Sequence, residues 1–420
     1  MAYLFLLLYL ALSYLRPYEL YPAIAAFRPM LLMGGIAILA SAVSLPRALP
    51  NFMTKQVPLM ALFICIIVIS RLHWLMGAML AFQEVMITMV VFYLVLATVT
   101  GMKELRRVGI VLVICSMALA LQAVATMHFG FRADDLIVSQ TGPDGGVVYR
   151  ARALGYFSDP NDLAQALLVA LPFVGSAWRK RAKLSNFVYV VIPSVVLLYG
   201  VYLTRSRGAV LGLLILCLLI LRRKAGGVLA TILTTGLLFV VLAAGFTGGR
   251  AVSSQESGAS VRLDAWYAGM DMLKSAPLIG VGYEQFTEFH NKAAHNSFVL
   301  CFAELGLIGY FIWLGILVIT LTNLAPLARK DAPYDESLRR LARAIQLSLY
   351  VFLATAWFLS RTYVVTLYLL IAMAIVIVHL ARQQRIEVMP ERMPWWMRTV
   401  IIQVVTIGSV WLMVRFRYFG

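Results

Sequence analysis

The chain is poor in charge. Of its 420 residues only 13% are Asp, Glu, Lys or Arg, and the acids, at 19, are well outnumbered by 36 basic residues. Histidines number five, and the four cysteines, Cys65, Cys115, Cys217 and Cys301, each sit alone inside an apolar run. Such isolation supplies neither zinc-ligand spacing nor a disulfide framework, so the cysteines read as small apolar residues. No Walker-type glycine loop precedes a lysine, so a nucleotide-phosphate cradle of that kind is excluded. The sequence also lacks a clear internal repeat, which gives inverted-repeat transporter architecture little support.

What fills the chain instead is hydrocarbon. Hydrophobic residues make up 62% and the mean hydropathy is +0.86, far above the roughly 45–50% apolar content of soluble domains. The composition predicts an all-α polytopic membrane protein, one helical bundle over 1–420 with about 12–13 transmembrane helices. A net charge of +17 raises the question of a nucleic-acid partner. Lys and Arg gather in short clusters between apolar runs, however, which is the positive-inside pattern, so membrane lipids and not nucleic acid are the expected surroundings.

Candidate spans run over 2–15, 23–45, 57–72, 79–100, 108–127, 162–178, 187–204, 208–221, 225–246, 297–324, 341–359, 362–381 and 399–414. The first lacks a basic leader and reads as an anchor, not a cleaved signal peptide. Basic clusters at Arg47/Lys55, Lys103 to Arg107, Arg179 to Lys183, Arg222 to Lys224, Arg329 to Arg343 and Arg382/Arg385 fall on one face if every run spans. That agreement places the N-terminus in the cytoplasm and two polar segments, 128–161 and the larger 247–296, outside. Within the larger loop, Leu263, Trp266, Tyr267, Met270 and Leu273 recur at helical spacing and predict a short helix over 260–275, ended by Pro277.

Several polar residues remain near the outer face. Arg205-Ser206-Arg207-Gly208 opens a helix, whose free N–H groups and adjacent guanidinium suit an anion such as phosphate; snorkelling to lipid headgroups is the alternative. Arg262, one turn before Trp266, could cap an anion at the membrane surface or simply sit in water, and Arg361 is another outer-face arginine between closely spaced spans. His295 precedes a plausible N-cap, Asn296 or Ser297, where the positive helix end would keep imidazole neutral and able to accept a proton. His290 competes for that role, and no carboxylate or thiol stands at metal-ligand spacing, so no metal is expected. Glu304 lies roughly 10 Å into the next span at 1.5 Å per residue. A carboxylate at that depth needs a partner, for which Arg205, Arg207 or Arg361 are candidates, and a bracing role suits it better than catalysis. Asp159-Pro160-Asn161-Asp162 is good turn and capping chemistry, but Arg152 before it is not explained by capping.

Taken in order, these residues resemble the bacterial O-antigen ligase and polymerase superfamily, integral membrane glycosyltransferases acting on undecaprenyl-diphosphate-linked glycans. The likeness rests on R-x-x-G-x-F-x-x-P-N (Arg152, Gly155, Phe157, Pro160, Asn161), S-R-G-A (Ser206 to Ala209), R-x-x-x-W (Arg262, Trp266), P-x-x-G-x-G (Pro277, Gly280, Gly282), and His295-Asn296 followed by Glu304, Gly306 and Gly309. The expected leucine, Leu300, comes one place late. The resemblance covers about 152–309.

It implies a periplasm-facing active site in the bacterial inner membrane. Arg207 and Arg262, with Arg152, Arg205 and Arg361, would hold the diphosphate, and His295 would take a proton from an acceptor hydroxyl as it attacks the anomeric carbon with inversion. Glu304, Asn296 and Trp266 would support the site. Neither a metal nor another cofactor is implied, and the first outer loop has no D-x-D pair. Within the superfamily the dominant loop ending in His295 points to en bloc transfer onto lipid A–core. A polymerase extending lipid-linked glycan is the alternative, and a flippase or transporter of an anionic lipid is the alternative of another class.

Overall fold

The computed structural model describes residues 2–141, 146–243, 257–384 and 393–418. The start of the larger polar loop, with Arg250, and Arg385 of the last basic cluster lie outside the described residues.

The apolar runs are helical. Among the described residues seven helices are long and apolar enough to cross a membrane: Ala23–Ser41, Leu75–Thr98, Met102–Phe129, Lys183–Leu203, Ser297–Leu327, Val365–Arg382 and Trp395–Phe416. An eighth results if Leu45–Phe52 and Gln56–Ile69, which meet at 82°, form one bent span. The other expected runs are also helices, but shorter or more charged: Ala2–Leu15 has 14 residues, and Arg207–Ala225 ends in Arg222, Arg223 and Lys224. The protein is thus all-α and polytopic. The chain forms two compact units, one of 1–48, 97–251 and 327–355, the other of 49–96, 252–326 and 356–420.

In the first unit the helix Pro160–Ser176 is buried along nearly its whole length, packed by Met102–Phe129, Ile192–Leu203 and Arg207–Ala225. Small residues permit the approach: a Cβ on Gly200 would lie 2.9 Å from Ala120 Cβ. With no hydrophobic drive between helices in lipid, such close packing and interhelical hydrogen bonds carry association. Gln165 Nε2 accordingly donates to Thr355 Oγ1 at 2.7 Å and Ser348 Oγ to the Val169 carbonyl at 2.7 Å. The outer segment 128–161 also holds a β-hairpin, Ile137–Thr141 antiparallel to Val147–Ala151. No strand was expected there, although β-branched runs flank the turn-rich T-G-P-D-G-G.

In the second unit the helix Val365–Arg382 is the buried centre. The loop helix extends over Ser257–Ser275 and buries Ala265, Trp266, Met270, Met272 and Leu273, while Tyr267 is 37% exposed. The run read as one continuous helix over 297–324 is broken. Gly306, at φ 64° and ψ −167°, interrupts the helix Ser297–Leu327.

Candidate functional site

The break follows from two glycines. Across it the turn segment 277–282 pairs with helix backbone: Val281 N–H donates to Ala303 O at 3.0 Å, Gly282 N–H to Glu304 O at 2.9 Å, and Leu307 N–H to Pro277 O at 2.8 Å. Carbonyls and N–H groups freed by the kink are thereby satisfied, as a low-dielectric interior demands. Such close approach excludes side chains. A Cβ on Gly280 would overlap the Glu304 carbonyl, and one on Gly306 would overlap that of Leu278. Both also have positive φ, 70° and 64°, where glycine alone is unstrained. The P-x-x-G-x-G and E-x-G patterns are one structural lock.

The short half-helix that results starts beside His295. Asn296 is fully buried and caps it, its Oδ1 accepting from Phe298 N–H at 2.9 Å and Val299 N–H at 3.1 Å. Asn296 Nδ2 is buried without a hydrogen-bond partner among the described residues. His295 itself sits at φ 48°, a left-handed conformation that costs a non-glycine residue about 1–2 kcal/mol. Ser360 holds it there, accepting from the His295 N–H at 2.8 Å. Around it, Ser297 Oγ donates to Leu359 O at 2.6 Å and accepts from Arg361 N–H at 2.8 Å, and Thr362 Oγ1 donates to Ser297 O at 2.8 Å. Strain held by surrounding bonds in this way clusters at functional sites.

The loop helix is fastened to the same place. Trp266 Nε1 donates to the Ala294 carbonyl at 3.0 Å, its ring meets Trp357 edge-on at 6.0 Å, and the Arg262 guanidinium lies 5.8 Å from the Phe358 ring. Arg262, Trp266, His295, Asn296 and Arg361 therefore converge where 294–297 meets 357–361. His290 does not join them through its ring, whose Nδ1 accepts from Lys292 N–H at 3.2 Å within its own turn.

Glu304 is buried at 2% exposure. Among the described residues its bonds come not from the expected arginine but from Tyr363, whose Oη donates to Oε2 at 3.0 Å, and Phe286, whose N–H donates to Oε1 at 3.2 Å. A phenol and a backbone N–H satisfy the carboxyl without burying a second charge. Nearby, Tyr283 meets the Tyr363 ring edge-on at 4.7 Å, and burial pushes its hydroxyl well above the usual phenol range.

Arg152, Arg205 and Arg207 belong to the other unit. Arg207 begins a helix whose N-cap, Ser206, accepts from Ala209 N–H at 3.2 Å. Arg205 has φ 51° and lies 3.9 Å from the Tyr202 ring centroid. Arg152 donates from Nε to Asp135 O at 2.9 Å. Sequence reasoning overlooked their organiser. Arg150, only 8% exposed, donates from Nε to Thr204 O at 2.9 Å, from Nη2 to Asn161 Oδ1 at 2.9 Å, and from Nη1 to Gln140 Oε1 at 3.3 Å. One guanidinium thus ties the hairpin to Asn161 of one motif and to the turn that leads into Ser206-Arg207 of another. Ser360 and Tyr363 were overlooked too, despite flanking Arg361; their partners lie 65 and 59 residues away.

Among the described residues no group of three or more His, Cys, Asp or Glu could hold a metal ion. No curated protein matches the chain. Residues 192–314 match the sequence model of a family described as O-antigen ligase. That stretch takes in Arg205, Arg207, Arg262, His295 and Glu304 and leaves out Arg152 and Arg361, and it supports a place for this chain in the O-antigen ligase superfamily.

Proposed function

We propose that the protein transfers a glycan en bloc from undecaprenyl diphosphate to an acceptor hydroxyl, with lipid A–core as the acceptor, at the periplasmic face of a bacterial inner membrane. The observation that carries this reading is His295, held in a left-handed conformation by Ser360 at a helix mouth flanked by Arg262 and Arg361. A single displacement accounts for these parts. The acceptor oxygen forms a bond to the anomeric carbon as the carbon–oxygen bond to the diphosphate breaks. His295 takes the hydroxyl proton, and the configuration inverts. The electron pair leaves with the diphosphate, whose charge Arg262 and Arg361 stabilise. The resemblance gives Arg152, Arg205 and Arg207 the same task of holding phosphate, and Arg207 stands at a helix N-terminus suited to it. The energy resides in the glycosyl diphosphate bond, so the reaction calls on no nucleotide or metal cofactor.

Purified protein incubated with lipid-diphosphate glycan and candidate acceptors, with EDTA present, tests the reading. Glycosylated acceptor is expected. Longer lipid-linked glycan would make the protein a polymerase, and movement of lipid across a vesicle without a covalent product would make it a transporter.

A further inference from the structure

Away from every motif above, the first unit contains a cleft of about 580 Å³ lined by Lys103, Arg106, Arg179, Lys180, Arg340 and Glu336. It lies among three of the basic clusters that the charge rule assigns to the cytoplasm. That rule explains why basic residues are present, but not why they surround a concavity. Arg340 is already neutralised: it pairs with Glu336 at 2.5 Å and donates to the Trp178 carbonyl. The side chains of Lys103, Arg106, Arg179 and Lys180 have no ion-pair partner among the described residues.

Cations outnumber carboxylates around the cleft. Lys103 is in the first turn of the helix Met102–Phe129, which also carries Glu104, whose carboxylate lies back against Gly101. Cations at that end oppose the helix dipole. Arg106 follows Lys103 at i+3, where like charges repel. The first turn of a second helix, Glu336–Ala356, also lines the cleft through Glu336 and Ser337. Two helix N-termini and four cations without an ion-pair partner among the described residues surround one cavity, an arrangement suited to an anion, and the cations exceed what one phosphate group would neutralise.

We infer that this cleft binds a ligand carrying two phosphates. Two sources share that chemistry: the headgroup of a phospholipid carrying two phosphates in the anionic cytoplasmic leaflet, and a soluble diphosphate.

The test uses full-length protein in detergent and two triple variants. K103Q/R106Q/K180Q removes three of the four cleft cations that lack an ion-pair partner and leaves Arg179 and the Arg340–Glu336 pair in place. R47Q/K55Q/K224Q removes the same charge from exposed positions in other clusters and reports on general electrostatics. Native mass spectrometry measures retained cardiolipin against phosphatidylethanolamine, and calorimetry measures inorganic pyrophosphate binding; elution as a single monodisperse species is required of both variants. The wild type and R47Q/K55Q/K224Q are expected to bind one of the two probes that carry two phosphates, and K103Q/R106Q/K180Q to bind it at least about tenfold more weakly. Loss of cardiolipin identifies the lipid as the source, and loss of pyrophosphate identifies the soluble ligand. Equal weakening in both triple variants, or none in K103Q/R106Q/K180Q, would overturn the assignment, as would retention of cardiolipin no better than phosphatidylethanolamine together with no pyrophosphate binding.

Discussion

Gly306→Ala asks whether the break in the helix Ser297–Leu327 is obligatory. An alanine Cβ there would overlap the Leu278 carbonyl and lie 2.5 Å from Ile279 N. Both obstacles are backbone, so no rotamer change relieves them. The φ 64°, ψ −167° of the residue belongs to a region that is essentially glycine's, with strain of about 1–3 kcal/mol for another residue. Overpacking adds about 1–3 kcal/mol, for a total loss of roughly 2–6 kcal/mol. Relief requires segment 277–282 to move, releasing the bonds from Leu307 N–H and Ile308 N–H and loosening the half-helix that begins beside His295. Gly236→Ala is the reference. Its Cβ would meet nothing within 4 Å, and it lies in the helix Gly227–Ala243, where alanine stabilises by up to about 1 kcal/mol. Reversible unfolding of detergent-purified variants, followed by the transfer assay, gives the comparison. If Gly306→Ala unfolds within about 0.5 kcal/mol of wild type, a range ordinary for neutral surface changes, the lock as described is wrong.

Arg150→Met leaves the Thr204 carbonyl and the Asn161 amide without their donor and should lower stability by about 2–4 kcal/mol; Arg150→Lys should recover only part, since an ammonium lacks the rigid fork that spans separate acceptors. Unfolding of the two variants decides this, and full recovery by lysine would contradict it. Tyr363→Phe removes the donor to Glu304 and should cost about 1–3 kcal/mol, with a smaller loss when Glu304 is already Gln; strict additivity in that double-mutant cycle would refute the bond. Burial holds the Tyr283 hydroxyl protonated in the folded state above the range in which an exposed phenol ionises. Above about pH 10 the unfolded chain therefore binds fewer protons than the folded one, and stability falls as pH rises, by up to about 1.4 kcal/mol per pH unit. Tyr283→Phe should flatten that alkaline slope, and an unchanged slope would contradict it.

Much of the architecture was legible because hydrophobic runs in a membrane chain admit little besides helices. The loop helix could be read from the spacing of Trp266, Met270 and Leu273. Gly280, Gly282 and Gly306 were visible as a pattern, but the pairing of 277–282 across the broken helix was not, since spacing along one strand of sequence does not reveal which backbone it meets. For the same reason Glu304 was matched with arginine on grounds of charge, when Tyr363, 59 residues on, supplies the bond. The hairpin escaped notice because its strands are five residues each and a hydropathy reading is built for longer periods. Arg150 was masked by its neighbour Arg152, which matches the family pattern while Arg150 does the tying.

The claim at the centre of this account is that His295 moves the acceptor's proton. Single-turnover transfer from lipid-diphosphate glycan to acceptor, measured with EDTA present for wild type and His295→Ala, tests it most directly. Metal-independent transfer is expected of wild type and a loss of about 10²–10⁴-fold of the variant, with donor binding unchanged. Transfer by His295→Ala at the wild-type rate would contradict it.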